Sequence, residues 1–245
     1  MTPADAVQQP VAAPKSLPAR VVGVLTSPGD TFRSVAAHPH WVGVLLLTTL
    51  VIAGLWFWFL STESGQVAML DQQVRQIEAW GQTVSEEQYT GIERSLPVMR
   101  YIVSGTTLVM GPLMTLLTAG LLFAVFNAGL GGNATFKQVF SIVTHAGIVM
   151  LLQALVVMPL NYVRESTTSA FNLAVFLPML DENSLAARFL GMIDLFIIWW
   201  LIVLSIGLAV LYRRRTQPIA IGLLTVYVVI AAGIALIMRG VAGSS

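Results

Sequence analysis

Long runs without a charged residue alternate with short polar segments along this chain of 245 residues. Each run reaches, or nearly reaches, the roughly 20 apolar residues that a helix needs to cross a hydrocarbon core. The runs are Trp41–Thr62, Tyr101–Phe136, Gln138–Val163, Leu195–Tyr212 and Thr216–Met238. They predict five transmembrane helices, which we place near residues 42–60, 103–127, 140–162, 194–212 and 218–238.

Composition supports the same conclusion. Hydrophobic residues make up 56% of the chain and charged residues only 10%, whereas a soluble domain carries about a quarter charged residues. Most of the surface must therefore face something other than water. We predict an all-α integral membrane protein, a bundle of five transmembrane helices. The absence of cysteine excludes disulfides and thiolate chemistry.

The polar segments divide the chain. Residues 1–17, rich in Pro, Ala and Gln, predict a disordered tail on the cytoplasmic side. Residues 18–40 predict a juxtamembrane amphipathic segment, and residues 41–239 the five-span membrane domain.

The juxtamembrane segment contains the signals of a short helix. Ser27 stands where an N-cap is expected, Pro28 at the first helical position and Asp30 in the capping-box position. Phe32 and Val35 share one face. We therefore expect an amphipathic helix that lies along the inner membrane surface.

Two polar segments lie between spans. Residues 61–100 predict an extracytoplasmic helical hairpin, whose second helix opens with a capping box at Ser85–Gln88. Its first helix carries an apolar seam with spacings of three and four, at Val67, Leu70, Val74 and Ile77. The half-apolar segment 164–193, with Ser184 as an expected N-cap, is predicted to pack on the membrane surface or partly re-enter it.

Basic residues next to short loops orient the chain. Arg213–Arg215 follow the fourth span directly, and Lys137 lies in the other short loop on that side. Because basic residues close to span ends favour the cytoplasm, we predict a cytoplasmic N-terminus and an extracytoplasmic C-terminus. These four residues, with Arg33 before the first span, are also candidate sites for anionic lipid or another partner.

A glycine-rich stretch, GGNATFK at residues 131–137, opens the third apolar run. It lacks the spacing of a phosphate-binding loop and leads into a membrane helix without a preceding strand. When the stretch before the first span is aligned with the one before the third at a fixed offset, Thr31 and Phe32 match Thr135 and Phe136. We interpret both stretches as helix starts at the inner membrane face, which excludes a nucleotide site here.

Two titratable residues, His145 and Asp194, lie in or beside the predicted spans. An ionisable residue at that depth is a candidate functional residue. At 1.5 Å rise per residue, His145 lies about 12 Å above Lys137 on the inner side. Asp194 lies roughly 28 Å from Arg213, at the outer boundary. The two are therefore too far apart to share a proton directly.

Structural roles are the alternative for both residues. Asp194 would cap the fourth span or pair with Arg164 or Arg188, and a neutral His145 would donate to a neighbouring helix. Gly111–Pro112 predicts a kink in the second span, which could form part of a transport site or simply be tolerated by packing. No hydrolase, zinc-protease or aspartate-pair motif is present, so we predict no enzyme, no metal site and no cofactor.

Three stretches carry a resemblance to a known family. They read GVLTSPGDTFRSVAAHP from residue 23, GGNATFKQVFSIVTHAG from residue 131 and IDLFIIWWLIVLSIGLAVL from residue 193. From Leu17 to Met238 the chain resembles the prokaryotic branch of the Yip domain family, multi-span relatives of the Ypt/Rab-interacting membrane proteins. The matching positions are Thr31, Phe32, Thr135, Phe136, Asp194, Phe196, Trp199 and Gly207.

The resemblance implies five spans in the bacterial cytoplasmic (inner) membrane with the N-terminus in the cytosol. It supplies no catalytic residue, and the trafficking role of eukaryotic relatives is not carried over. We expect a non-enzymatic protein that acts on membrane organisation through lipids, protein partners or self-association, without nucleic acid or nucleotide. The alternative function is a small-solute or ion transporter or channel that uses His145, Asp194 and the Gly111–Pro112 kink.

Overall fold

The computed structural model describes residues 13–79, 81–180 and 184–242. This part of the chain is helical, without a strand. Its α-helices are α1 (Leu17–Thr26), α2 (Pro28–Ala37), α3 (Val42–Leu60), α4 (Glu63–Ala79), α5 (Glu86–Phe123), α6 (Phe136–Ala146), α7 (Ile148–Arg164), α8 (Leu185–Gly191), α9 (Leu195–Tyr212) and α10 (Thr216–Ala242). A π-helical turn spans Ala124–Gly129 and a 3₁₀ turn Leu173–Phe176. The predicted all-α fold is confirmed.

Five helical stretches are long and apolar enough to cross a membrane, and each matches one predicted span. They are Val42–Leu60, Glu86–Gly129, Phe136–Arg164, Leu195–Tyr212 and Thr216–Arg239. The five-span bundle is therefore confirmed, although the second span belongs to a longer helix and the third is interrupted.

The second span belongs to one continuous helix that starts well before it. Helix α5 and the π-helical turn together cover Glu86–Gly129, 44 residues, or roughly 66 Å at 1.5 Å per residue. The hydrocarbon core is only about 30 Å thick, so the first half of α5 extends beyond it. The helix begins at the predicted capping box, where the Gln88 N–H donates to Ser85 Oγ at 3.2 Å and the Ser85 N–H to Gln88 Oε1 at 3.0 Å.

Helix α4 turns back from the end of the first span and lies against α5 and α7. The turn is so tight that a Cβ at Gly65 would stand 1.9 Å from the Phe59 carbonyl oxygen. Of the predicted apolar seam, Leu70 is buried whereas Val67 is exposed. On which side of the membrane α4 and the start of α5 project stays a prediction.

The third span is not a single helix. Helix α6 ends at Ala146 and α7 begins at Ile148, with Gly147 between them at φ −57° and ψ −12°. A Cβ on Gly147 would lie only 3.0 Å from the Thr144 carbonyl oxygen. The break places His145 in the last turn of α6.

The core of the bundle lies where α2, α6 and α9 meet. Phe32, Ile142 and Leu208 are fully buried there. The close approach depends on Gly207, because a Cβ at this position would stand 2.5 Å from Ile142 Cγ2 and 3.2 Å from the Phe32 ring. Small residues at such positions let membrane helices approach closely.

The N-terminal segment corrects one prediction. The helix predicted to follow Ser27 is present as α2, with α1 before it, but its apolar face does not rest on the membrane surface as we expected. Phe32 and Val35 are fully buried in the core. The amphipathic pattern correctly placed these residues on one face. That face is covered by α6 and α9, because a pattern within one helix does not reveal what packs against it.

The start of α2 also differs in detail from its prediction. Ser27 occupies the N-cap position, but its side chain makes no capping hydrogen bond. Asp30 pairs instead with Arg33 one turn along the same helix. The predicted disordered tail falls mostly on residues 1–12, outside the described part of the chain; its last residue, Leu17, begins α1.

The segment before the fourth span is attached to the start of α9. The Leu173 N–H donates to Ile193 O at 2.9 Å, and the Leu195 N–H to Phe171 O at 3.1 Å. The predicted N-cap of α8 is confirmed, since Ser184 Oγ accepts the Ala187 N–H at 3.1 Å. Whether this segment rests on the membrane surface stays a prediction.

Candidate functional site

The turn between α9 and α10 carries three consecutive arginines. Arg213 adopts a left-handed conformation, φ 53° and ψ 44°, that ends α9. Arg214 and Arg215 complete the turn before α10 starts at Thr216, and all three side chains are exposed. Three guanidinium groups are therefore concentrated at the end of a membrane span, where repulsion among them favours an anionic partner.

An apolar groove leads away from these arginines between α5 and α10. Its volume is about 760 Å³, within the roughly 300–1,000 Å³ of small-molecule sites. Leu121 and Val125 line one wall, and Ile219, Gly222 and Val226 the other. Both walls are apolar, with Phe126 among the lining residues, so the groove suits a hydrocarbon chain and not a polar solute.

The groove has the dimensions of part of a membrane leaflet. Its lining extends from Arg215, just before α10, to Val226, which is eleven residues further on, or roughly 16 Å along a helix. That is about half of the hydrocarbon thickness. A molecule with its charged group at Arg213–Arg215 would therefore reach the middle of the bilayer along this groove.

The glycine-rich loop before α6 holds the arginine turn in place. The Tyr212 hydroxyl donates to Asn127 Oδ1 at 2.8 Å, and Asn127 Nδ2 donates to Ala134 O at 2.7 Å. Gly132 sits so close to the Tyr212 ring that its Cβ would lie 2.5 Å from a ring carbon. Arg214 Nη2 donates to the Leu130 carbonyl at 2.8 Å. The loop is therefore a structural support for the arginines.

Helix α6 starts as the sequence predicted. Thr135 Oγ1 accepts the Gln138 N–H at 3.3 Å, and Gln138 Oε1 accepts the Thr135 N–H at 2.9 Å. Gln138 Nε2 also donates to Ala36 O at 3.0 Å, which fixes α6 to the end of α2. Lys137 is exposed in the first turn of α6. Arg33 is exposed on α2 but is paired with Asp30.

His145 is fully buried and bridges two helices. Its Nδ1 lies 2.7 Å from Ser141 O and its Nε2 3.1 Å from Arg20 Nη1. Because a guanidinium can only donate, Nε2 must be the acceptor and Nδ1 the protonated nitrogen. His145 is therefore neutral and connects α6 to α1. Burial lowers the pKa of Arg20, although an arginine stays charged in proteins.

Asp194 caps α9, as one of the two structural alternatives predicted. Its Oδ1 accepts the Phe196 N–H at 2.7 Å and the Ile197 N–H at 3.4 Å. Gln153 Nε2 donates to the same oxygen at 3.3 Å. The Asp194 N–H in turn donates to the Tyr227 hydroxyl at 3.0 Å.

The other alternative, an ion pair of Asp194 with Arg164 or Arg188, is not observed among the described residues. Arg188 Nη1 donates instead to the Met238 carbonyl at 3.1 Å. This bond fixes α8 to the end of α10.

The model of the Yip1 domain family matches residues 22–238 of this chain. The chain belongs to the Yip1 domain family. It is a multi-pass membrane protein of that family. No curated protein and no solved structure matches it.

The residues that carried the family resemblance hold this Yip1 domain together. Thr31 is buried and accepts a hydrogen bond from Lys15 Nζ at 3.1 Å. The Phe136 ring stacks on Phe140, with centroids 6.0 Å apart. Phe196 meets Phe171 edge-on, with ring centroids 5.2 Å apart, and lies tilted against Trp199 at 6.1 Å. With Phe32, Gly207, Thr135 and Asp194 described above, these positions act in packing or capping.

The residues proposed for transport do not share one site in this Yip1 domain. Gln153, the partner of Asp194, stands eight residues beyond His145, or about 12 Å along the span. Gly111 lines a third location, a cavity of about 440 Å³ between α3, α5, α7 and α9. Helix α5 is continuous through Pro112, and Thr115 Oγ1 donates to Gly111 O at 2.9 Å.

Several polar residues of the Yip1 domain were not predicted from the sequence. Arg20 pairs with His145 across 125 positions of chain, and Tyr212 with Asn127 across 85. Gln153 lies inside an apolar run, and that isolation is a signal that a sequence reading could have used. The other partners carry no such local signal.

Proposed function

We propose that this Yip1 domain binds anionic phospholipid at Arg213–Arg215 and has a non-enzymatic role in membrane organisation. The observation that carries the proposal is the groove between α5 and α10, which is apolar along its length and basic at one end. A phospholipid has the same division, with a phosphate at one end and acyl chains beyond it.

The groove and the arginines contribute different parts of the affinity. Guanidinium groups bind phosphate through charge-assisted hydrogen bonds, which are stronger than neutral ones. Each basic residue near an anionic membrane surface contributes about 1 kcal/mol. The apolar walls add burial of an acyl chain at a fixed position. The first contribution selects for charge, whereas the second keeps the lipid in place.

The proposed topology places this site in the cytoplasmic leaflet of a bacterial inner membrane. Arg213–Arg215 and Lys137 support an inner location for the ends of α9 and α10 that meet there. The N-terminus would then be cytoplasmic, and α4 with the start of α5 would project to the outside. Protein partners or a second copy of the chain would meet the protein on its remaining surfaces.

Native mass spectrometry of the purified full chain tests the proposal. The probes are phosphatidylglycerol and, as the neutral comparison, phosphatidylcholine. The test variant is Arg213→Gln with Arg215→Gln, which retains Arg214 and its bond to Leu130. We expect phosphatidylglycerol affinity to fall roughly thirtyfold, because two basic residues contribute about 2 kcal/mol.

The matched control removes the same charge elsewhere, as Arg75→Gln with Arg94→Gln, both exposed and outside the groove. It should bind phosphatidylglycerol like the unmodified protein. Equal losses in both double variants, or no loss in either, would mean that the arginine turn is not a lipid site.

A further inference from the structure

A second basic recess lies at the start of α1, separate from the arginine turn. Its volume is about 270 Å³, well above the roughly 30 Å³ share of one water molecule. Lys15, Arg20, Ser34, His38 and His40 line it, and no acidic residue of the described chain does. The recess is therefore positively charged and roomy enough for a small anion.

Among the described residues, no acidic side chain pairs with Arg20 in this recess. Its Nη1 contacts two neutral acceptors, His145 Nε2 at 3.1 Å and the His40 carbonyl oxygen. Its Nε is buried with no hydrogen-bond partner among the described residues. The two ion pairs among all described residues join Arg33 to Asp30 and Arg75 to Asp71, so neither involves Arg20. Arg20 is partly buried, so its charge has lost part of its hydration without gaining an opposite charge, and a bound anion would offset that cost.

Three further donors point to the same kind of ligand. Lys15 Nζ is held by a neutral partner, Thr31 Oγ1, at 3.1 Å. His38 Nδ1 is buried with no partner among the described residues. Among the described residues the Ser16 side chain makes no capping hydrogen bond, so its hydroxyl can donate to a ligand in the recess. A helix N-terminus adds a partial positive charge.

We propose that this recess binds a phosphate group. The recess lies near a membrane surface, because His40 precedes the first span by only two residues. The phosphate could therefore be carried by a lipid headgroup or be free in solution, and both present the same tetrahedral anion to Lys15 and Arg20.

The test is equilibrium binding to the purified full chain in neutral maltoside micelles. The probes are radiolabelled inorganic phosphate and water-soluble dihexanoyl phosphatidylglycerol. All measurements are made in the Arg213→Gln, Arg215→Gln background, so that binding at the arginine turn does not contribute. We expect Lys15→Gln to weaken binding about tenfold, since one charge-assisted hydrogen bond is lost. Arg75→Gln in the same background is the charge-matched control and should bind normally.

Arg20→Gln should abolish binding, and its thermal unfolding is recorded because it also loses the His145 contact. Lys15→Gln keeps the test decisive if the Arg20 variant does not fold. Phosphatidylglycerol binding at least tenfold tighter than phosphate identifies a lipid headgroup, whereas equal affinities identify a free phosphate.

Two results would overturn the proposal that the recess binds a phosphate group. One is binding of neither probe in the Arg213→Gln, Arg215→Gln background, and the other is equal binding in Lys15→Gln and Arg75→Gln. The lipid function proposed for the arginine turn is tested separately in the Lys15→Gln background, where the recess binds weakly. It fails if adding Arg213→Gln and Arg215→Gln leaves the phosphatidylglycerol affinity unchanged.

Discussion

The third and fourth spans are packed inside the bundle, whereas the second and fifth are open along most of their length. In the most apolar part of Phe136–Arg164, 61% of residues are buried, and in Leu195–Tyr212 the share is 44%. For Glu86–Gly129 and Thr216–Arg239 it is only 11%. The mean hydropathies of these four stretches lie between 2.0 and 2.6. Apolar composition therefore marks residues that avoid water, without separating protein contact from lipid contact.

This difference also locates the proposed lipid site. The groove at Arg213–Arg215 is bordered by α5 and α10, the two open helices. The packed helices α6 and α9 instead carry the buried polar contacts of His145 and Asp194. The comparison indicates a division between the packed helices α6 and α9, which determine the fold, and the open helices α5 and α10, which contact the bilayer. Four predictions test this division, beginning with the largest expected effect.

A glycine pair gives the strongest test. Gly207→Leu in α9 should lower the free energy of unfolding by about 3 kcal/mol, because its side chain would overlap Ile142 and Phe32. Gly222→Leu in α10 should be tolerated, since no atom lies within 4 Å of its Cβ position. Thermal unfolding in detergent compares the two. Equal melting temperatures would break the distinction between packed and open spans.

The buried histidine should behave as a structural residue. His145→Leu removes the Nε2 acceptor of Arg20, and leaving a buried donor unpaired costs about 2 kcal/mol. His40→Leu is the matched control, because that side chain is exposed and Arg20 uses only its backbone carbonyl. Folded yield and melting temperature should fall in the first variant alone. A normal melting temperature together with loss of an ion or solute flux would favour the transport alternative.

Asp194 should stabilise the fold through its cap on α9. Asp194→Ala removes the acceptor for two N–H groups and should cost about 1 kcal/mol. Asp194→Asn should cost much less, because asparagine caps helices nearly as well. The measurement is again thermal unfolding. If the asparagine variant were as unstable as the alanine variant, the negative charge itself would be required.

The smallest effect on folding is expected in the groove. Gly222→Trp should change the free energy of unfolding by less than about 0.5 kcal/mol, since its Cβ position is open. It should nevertheless displace phosphatidylglycerol from the groove in native mass spectrometry. Gly233→Trp, equally open but outside the groove, is the control. If both variants retained the lipid, the groove would have no part in lipid binding, and only the arginines would remain as the proposed site.

Features decided within a few residues were predictable. The capping boxes at Ser85 and Thr135 and the caps at Ser184 and Asp194 follow from side chains and N–H groups at most three positions apart. At Ser27 the cap depended on more than such neighbouring groups, and the expected hydrogen bond was absent. The same limit applies to the candidate site, because the arginines stand out in the sequence but the groove beside them does not.

The sequence by itself determined that this chain is a five-span helical membrane protein and which residues begin most of its helices. Both depend on local quantities, namely the length of an apolar run and the short reach of a capping side chain. Only the tertiary structure decided that Phe32 is covered by Gly207, that Arg20 meets His145, and that α5 and α10 enclose a groove. These contacts join residues far apart along the chain, and in a membrane apolar surface alone does not specify them, because lipid would cover the same surface equally well.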